Sequence, residues 1–162
     1  AHASVPPVIT RICGPVQKVN DTTFTIRFYR MGMYNKRRTG DITLLASSDG
    51  DNRYKSAVQE LSFRIPYRHT EGKRQCILFP GLPDVTLETK VLPLNATSDC
   101  NLPVYYYVKE GPAEVVDGEL VFTKIPPRSK FPLKVTVVAW QYGLAGEVQT
   151  AEPVECSFWI NR

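Results

Sequence analysis

Two histidines, four cysteines and a few clustered carboxylates are the side chains of this sequence best suited to chemistry, and their spacing argues against catalysis. Histidine is the usual general base near neutral pH, yet His2 lies at the N-terminal end and His69 in a polar stretch between two β-rich regions. No Gly-x-Ser-x-Gly elbow presents a nucleophile. Glu110, Glu114, Asp117 and Glu119 invite comparison with the paired carboxylates of glycoside hydrolysis, but they surround Gly111-Pro112 and Gly118, where acidic residues ordinarily serve turns. Asp49-Gly50-Asp51-Asn52 places oxygen ligands at alternate positions, as a calcium loop does, without the later bidentate glutamate. A turn between strands, using Asp and Gly for their backbone freedom, is the preferred reading. Cys13, Cys76, Cys100 and Cys156 permit three pairings if all are bridged, and Cys156 also reads as a small buried apolar residue. No Cys-x-x-Cys spacing marks a zinc or redox centre, and no cofactor is implied.

The elements around these residues are stated twice. Gly14-Pro15 answers Gly111-Pro112, and Thr23-Phe24-Thr25-Ile26 is matched to Leu120-Val121-Phe122-Thr123. Ile42-Thr43-Leu44-Leu45-Ala46, closed by Gly50, answers Val135-Thr136-Val137-Val138-Ala139, closed by Gly143. Glu60-Leu61-Ser62-Phe63-Arg64-Ile65 answers Glu155-Cys156-Ser157-Phe158-Trp159-Ile160. Agreement falls on alternating apolar positions and turn glycines, which is what one β-fold used twice leaves behind. The second copy has a longer front end, Gln75 to Pro103, so the first reads as a domain that begins partway through. Two domains follow, 1–72 and 73–162, joined near Tyr67 to Lys73. Thirteen prolines and ten glycines between short runs of Val, Ile, Thr, Tyr and Phe favour a sandwich over helices. No apolar run reaches the roughly 18 residues of a membrane span, so no membrane insertion is expected.

Phe79, Leu94-Asn95-Ala96-Thr97-Ser98, Leu102-Pro103-Val104-Tyr105-Tyr106, Gly111-Pro112-Ala113, Gly118-Glu119-Leu120 and Val135-Thr136-Val137 together resemble the bacterial immunoglobulin-like modules of secreted and cell-surface proteins. The resemblance covers residues 75–160 well and 8–65 in part. It implies an all-β fold of tandem immunoglobulin-like sandwiches, the first shortened at its N-terminus, in an extracellular setting. It implies no reaction.

Strand phase then points to a surface. The positions shared by both copies turn Val135, Val137 and Ala139 toward a core, so Val138, Trp140 and Tyr142 face away. By the same alternation Trp159 on the last strand, and Tyr105 and Tyr107 on an earlier one, point outward. The first copy has Ser47, Asp49 and Arg64 in place of Trp140, Tyr142 and Trp159. An outer face of Tyr105, Tyr107, Trp140, Tyr142 and Trp159 is expected either to stack on a polysaccharide, with Gln141, Glu155 or Lys109 reaching its hydroxyls, or to pack on a neighbouring domain. A slip of one residue in phase turns Trp140 into the core instead.

Charge separates the copies as well. Residues 1–75 hold 13 Lys and Arg against 6 Asp and Glu, whereas residues 76–162 hold 7 against 10. Arg27, Arg30, Lys36, Arg37 and Arg38 surround a hairpin with Tyr34 and form a candidate grip on an anionic polysaccharide; a solvated strand edge guarded by charge explains them too. Nucleic acid is not expected, because no recognised binding motif accompanies the excess. The sequence reads as a non-catalytic accessory stretch of a larger secreted protein, binding polysaccharide or acting as a spacer.

Overall fold

A computed structural model describes residues 3–27 and 39–162, and every structural statement below concerns these. They form β-strands, turns and irregular segments with no helix. The chain divides into two compact units, Ala1–Tyr67 and Arg68–Arg162.

Unit 1 comprises β1 (Val8–Cys13), β2 (Val16–Lys18), β3 (Phe24–Ile26), β4 (Thr39–Ser48) and β5 (Ala57–Pro66). Strands β1, β4 and β5 make an antiparallel sheet in that order, and β2 and β3 a hairpin. Val16, Ile42 and Leu44 are its buried centre, with Ile9, Phe24 and Ile65 packed around them.

Unit 2 opens with four short strands, β6 (Ile77–Leu78), β7 (Val85–Thr86), β8 (Val91–Pro93) and β9 (Thr97–Ser98). Then follow β10 (Tyr105–Glu110), β11 (Ala113–Val116), β12 (Glu119–Phe122), β13 (Leu133–Trp140) and β14 (Val154–Asn161). One sheet runs β10-β13-β14-β7, with β7 parallel to β14; a second runs β11-β12-β8. Between them lie Val85, Leu94, Val108, Ala113, Leu120, Val135, Val137, Phe158 and Ile160. Two sheets enclosing one apolar layer define a β-sandwich.

Strands from the segments matched in the sequence pair in similar registers. Ile42 pairs with Phe63 and Leu44 with Leu61 across β4 and β5; Val135 pairs with Phe158 and Val137 with Cys156 across β13 and β14. Each first strand breaks register at the same place, between Arg11 and Cys13 and between Val108 and Glu110. A glycine follows directly in both copies. Gly14 (φ +99°) and Gly111 (φ +103°) adopt a left-handed conformation that side chains rarely accept. A Cβ on Gly14 would lie 2.6 Å from Asp41 O and 2.7 Å from the Ile42 Cα; on Gly111 it would lie 2.7 Å from Lys134 O and 2.8 Å from the Val135 Cα. Only glycine lets the chain fold this tightly over the next strand.

One part of the sequence alignment is corrected. Val16 faces Ile26 and Ala113 faces Phe122, and Arg27 N donates to Pro15 O as Thr123 N donates to Pro112 O. Phe24 therefore corresponds to Leu120, one residue away from the match of Thr23–Ile26 with Leu120–Thr123. The turn after β2 is a residue longer than the Asp117-Gly118 turn, and alternating apolar residues do not say where a turn takes up an insertion.

Gly111→Ala should therefore destabilise unit 2 by about 2–4 kcal/mol, from left-handed strain plus overlap with β13. Gly118→Ala, where φ is +83° but nothing lies within 4 Å of the new methyl, should cost about 1 kcal/mol. Urea unfolding of the two variants measures the difference.

Candidate functional site

The candidate surface is the face of the β10-β13-β14 sheet turned away from the core. Register places Tyr105 opposite Trp140 and Tyr107 opposite Val138 on β10 and β13, and Trp159 opposite Lys134 on β14 and β13. These residues alternate with Val135, Val137, Phe158 and Ile160, which fill the core. The phase read from sequence thus agrees with the strand register for Tyr105, Tyr107, Val138, Trp140 and Trp159.

Accessibility does not follow from phase. Trp140 and Tyr107 are each 2% exposed and Val138 is fully buried, whereas Tyr105 and Trp159 are 47% and 42% exposed. The rings of Tyr105 and Trp140 lie 5.1 Å apart with their planes tilted by 32°, so Tyr105 lies beside the buried tryptophan. Trp159 is six residues farther along β13 by register, about 20 Å away at the rise of a strand. The expected open platform therefore becomes two separated rings, with Trp140 and Tyr107 removed from it. Alternation reports only which side of a sheet a residue takes; what covers that side depends on residues distant in sequence.

Gln141 and Tyr142 leave the surface for a different reason: β13 ends at Trp140, and alternation ends with it. Gln141 is buried and clamps a loop, its Nε2 donating to Pro103 O at 2.5 Å and its Oε1 accepting from Gly143 N at 2.7 Å. Tyr142 is half-buried, its ring 4.4 Å from that of His69, and its carbonyl accepts the Thr150 hydroxyl at 2.5 Å. Burial pushes its phenol above the ordinary tyrosine range. His69 accordingly packs in a loop, and its backbone N–H donates to Thr150 Oγ1 at 2.8 Å.

Polar groups on the same face pair with one another. Lys109 Nζ lies 2.6 Å from Glu155 Oε1 and Lys134 Nζ 2.8 Å from Glu110 Oε1. Thr136 donates to Glu110 at 2.7 Å and shares a hydroxyl contact of 2.7 Å with Ser157. Lys134, then Thr136, hold the Glu110 carboxyl below the ordinary range. Glu114 lies on β11, Asp117 in the left-handed turn at φ +49°, and Glu119 opposite Pro93. The acidic cluster is thus spread over a hairpin and its neighbours.

Asp51 Oδ1 accepts from Arg53 N at 2.8 Å and Tyr54 N at 3.0 Å, and its Oδ2 from Ser4 N at 3.0 Å. These backbone donors, Ser4 first, hold its carboxyl below the usual range, and the segment with Asp49 is a turn. Among the described residues no group of three or more His, Cys, Asp or Glu side chains is placed to hold a metal ion. Arg27 donates to Gln17 Oε1; Arg30, Lys36, Arg37 and Arg38 lie outside the described residues. All four cysteines are free thiols, Cys13 and Cys76 on the surface. Cys156 Sγ accepts from Leu82 N at 3.2 Å, so the strand's inner side is closed there by the turn before β7.

The sequence matches no protein-family model and no curated protein. Solved structures similar to it include human protocadherin-24 EC1-2, at 12% identity and TM-score 0.39 over 98% of this chain and 84% of that one. Mouse cadherin-23 EC22-24 aligns at 13% identity and TM-score 0.40, over 96% of this chain and 53% of that one. Drosophila N-cadherin EC1-4 aligns at 14% identity and TM-score 0.38, over 97% and 42%. Likenesses at this level carry no functional conclusion. No described helix is long and apolar enough to cross a membrane.

Sequence reasoning passed over two features. Tyr106, inward in phase, uses its hydroxyl to accept from Ala96 N at 2.8 Å and to reach Leu94 O at 3.2 Å, tying β10 to the connection after β8. A tyrosine amid apolar inward positions is the signal, since a buried hydroxyl needs a partner. The second is the pair Leu61 and Phe63 on β5, on the inward row of the strand yet 57% and 42% exposed.

Two measurements test this placement. Trp140→Ala should cost about 3–5 kcal/mol and Trp159→Ala within about 0.5 kcal/mol, while iodide should quench the fluorescence of Trp159 and spare Trp140. Burial, then the Glu155 charge, pushes the Tyr107 phenol up to about 12. A folded-state value above the unfolded one, near 10, favours the native state below pH 10. That contribution declines as pH rises from 10 toward 12, and the ultraviolet phenolate band should show a tyrosine ionising late in that window.

Proposed function

We propose that the chain is a non-catalytic, extracellular stretch of tandem immunoglobulin-like modules, the first lacking its front strands, acting as a structural spacer within a larger secreted bacterial protein. The observation that carries this reading is the burial of Trp140, Tyr107 and Val138 on the sheet face turned away from the core. Large apolar side chains in that position stabilise the fold by packing, at about 1.5–3 kcal/mol for each one fully buried. A stacking platform for a sugar requires the opposite, rings left open to a ligand. The engagement of Asp51, Glu110 and Glu155 in turn and strand contacts supports a scaffold role over a reaction.

A second reading retains polysaccharide as partner, because Tyr105 and Trp159 keep their rings accessible. Their separation suits an extended polymer and excludes a single sugar residue as the bridge. Affinity electrophoresis through gels containing neutral and uronic-acid polysaccharides separates the two. The spacer reading expects unretarded migration of the native chain. Retardation lost in Trp159→Ala or Tyr105→Ala, with the strand circular dichroism intact, establishes the second reading in its place.

A further inference from the structure

Two asparagines head an Asn-x-Thr triplet with no proline inside it, Asn20-Asp21-Thr22 and Asn95-Ala96-Thr97. Asn35, Asn52 and Asn101 have Arg37, Tyr54 and Pro103 at the third position instead. The triplet supplies what an N-glycan acceptor needs, an amide nitrogen with a hydroxyl two residues on. Its use also depends on the fold, because the acceptor must sit where a bulky, hydrophilic group can stand clear of the core.

Both triplets meet that condition. Asn20 lies in the turn between β2 and β3, and Asn20, Asp21 and Thr22 are all exposed. Its Oδ1 accepts from Thr22 N at 3.0 Å, from Thr23 N at 2.9 Å and from Thr22 Oγ1 at 3.4 Å. The carboxamide oxygen is thus spent within the turn, and Nδ2, on the other branch of the same carbon, is left for a reaction. Asn95 and Thr97 are exposed, whereas Leu94 and Ser98 around them are buried. The Tyr106 hydroxyl holds the backbone on both sides of Asn95, accepting from Ala96 N at 2.8 Å and reaching Leu94 O at 3.2 Å. The main chain is therefore fixed by the core while the Asn95 side chain lies on the surface. Thr97 pairs with Leu78 across β9 and β6, and Leu78 is 69% exposed. A hydrophilic group two residues before Thr97 would shield that leucine and the open edge of this two-stranded ribbon.

We propose that Asn20 and Asn95 are acceptor sites for N-linked glycans. In the transfer, Nδ2 attacks the anomeric carbon of an oligosaccharide carried on a polyisoprenyl pyrophosphate. The N–C bond forms, the C–O bond to pyrophosphate breaks, the pyrophosphate leaves with the electron pair, and the amide gives one proton to a base of the transferase. No oxidant or reductant enters. The inference rests on the extracellular setting of the proposed function and requires an export route that carries such a transferase. It gives each unit one glycan, away from the strands that hold Tyr105 and Trp159.

The whole chain secreted from cultured insect cells, and the chain recovered from its native source, are each weighed intact before and after digestion with a peptide N-glycosidase. Two glycans are expected on each, one lost in Asn20→Gln and the other in Asn95→Gln. Thr97→Ala should also remove the Asn95 glycan and Thr97→Ser retain it, with the strand circular dichroism unchanged, which separates acceptor chemistry from loss of the fold. A folded chain bare at both residues in both preparations overturns the proposal at the acceptor sites, and a chain bare at one overturns the assignment of that residue. Glycans on the insect-cell chain and none on the native one overturn it through the extracellular reading instead.

Discussion

Both units depend on one constraint: a left-handed glycine that brings the chain down onto the next long strand. At Gly14 and Gly111 the backbone passes so close to Asp41-Ile42 and Lys134-Val135 that no side chain fits between. The residues beneath, Ile42 and Val135, are completely buried. From that contact the rest follows. It anchors the register break at the end of β1 and β10, starts the hairpin that follows, and orients the alternation of β4 and β13 so that one row faces the core. A β-strand has no freedom to choose its face residue by residue, because a slip of one inverts every side chain.

The two units part in what covers the inner row of their last strand. In unit 2 the front strands close the sandwich, and Phe158 and Ile160 become nearly inaccessible. In unit 1 Phe63, aligned with Phe158, is 42% exposed, and Leu61, aligned with the half-buried Cys156, is 57% exposed. Charges decorate the other side of β5, where Arg64 Nε meets Asp41 Oδ1 at 2.8 Å and Thr43 meets Ser62 at 3.0 Å. The outward face of unit 1 is thus polar and its inward row apolar and open. In unit 2 Trp140 and Tyr107 are buried on the outward face, and Phe158 and Ile160 on the inward one.

Much of this architecture was legible in the residues. Alternating apolar positions identified the all-β fold and the phase of β13 and β14, because those features are local and periodic. Exposure was not legible, since Trp140 and Tyr107 share a face with Trp159 yet differ from it in cover, and cover is a long-range property. The β2–β3 alignment slipped by one residue because a polar turn carries no phase. Gln141 and Tyr142 were misplaced because nothing in Trp140-Gln141-Tyr142 marks where the strand stops. The exposure of Leu61 and Phe63 was not legible either, because alternation places both on the inward row of β5.

The central claim is that the last strands of the two units differ in cover: Phe158 and Ile160 on β14 are buried, whereas Leu61 and Phe63 on β5 are 57% and 42% exposed. Native-state amide hydrogen exchange, resolved at Leu61, Phe63 and Ile65 and at Cys156, Phe158 and Ile160, tests it most directly, because protection follows how deeply a strand is integrated into a cooperative core. The account predicts that the β14 amides exchange only through unfolding of unit 2, and that those of β5 exchange through low-energy local opening. Equal, deep protection of both strands in the isolated monomer would contradict it.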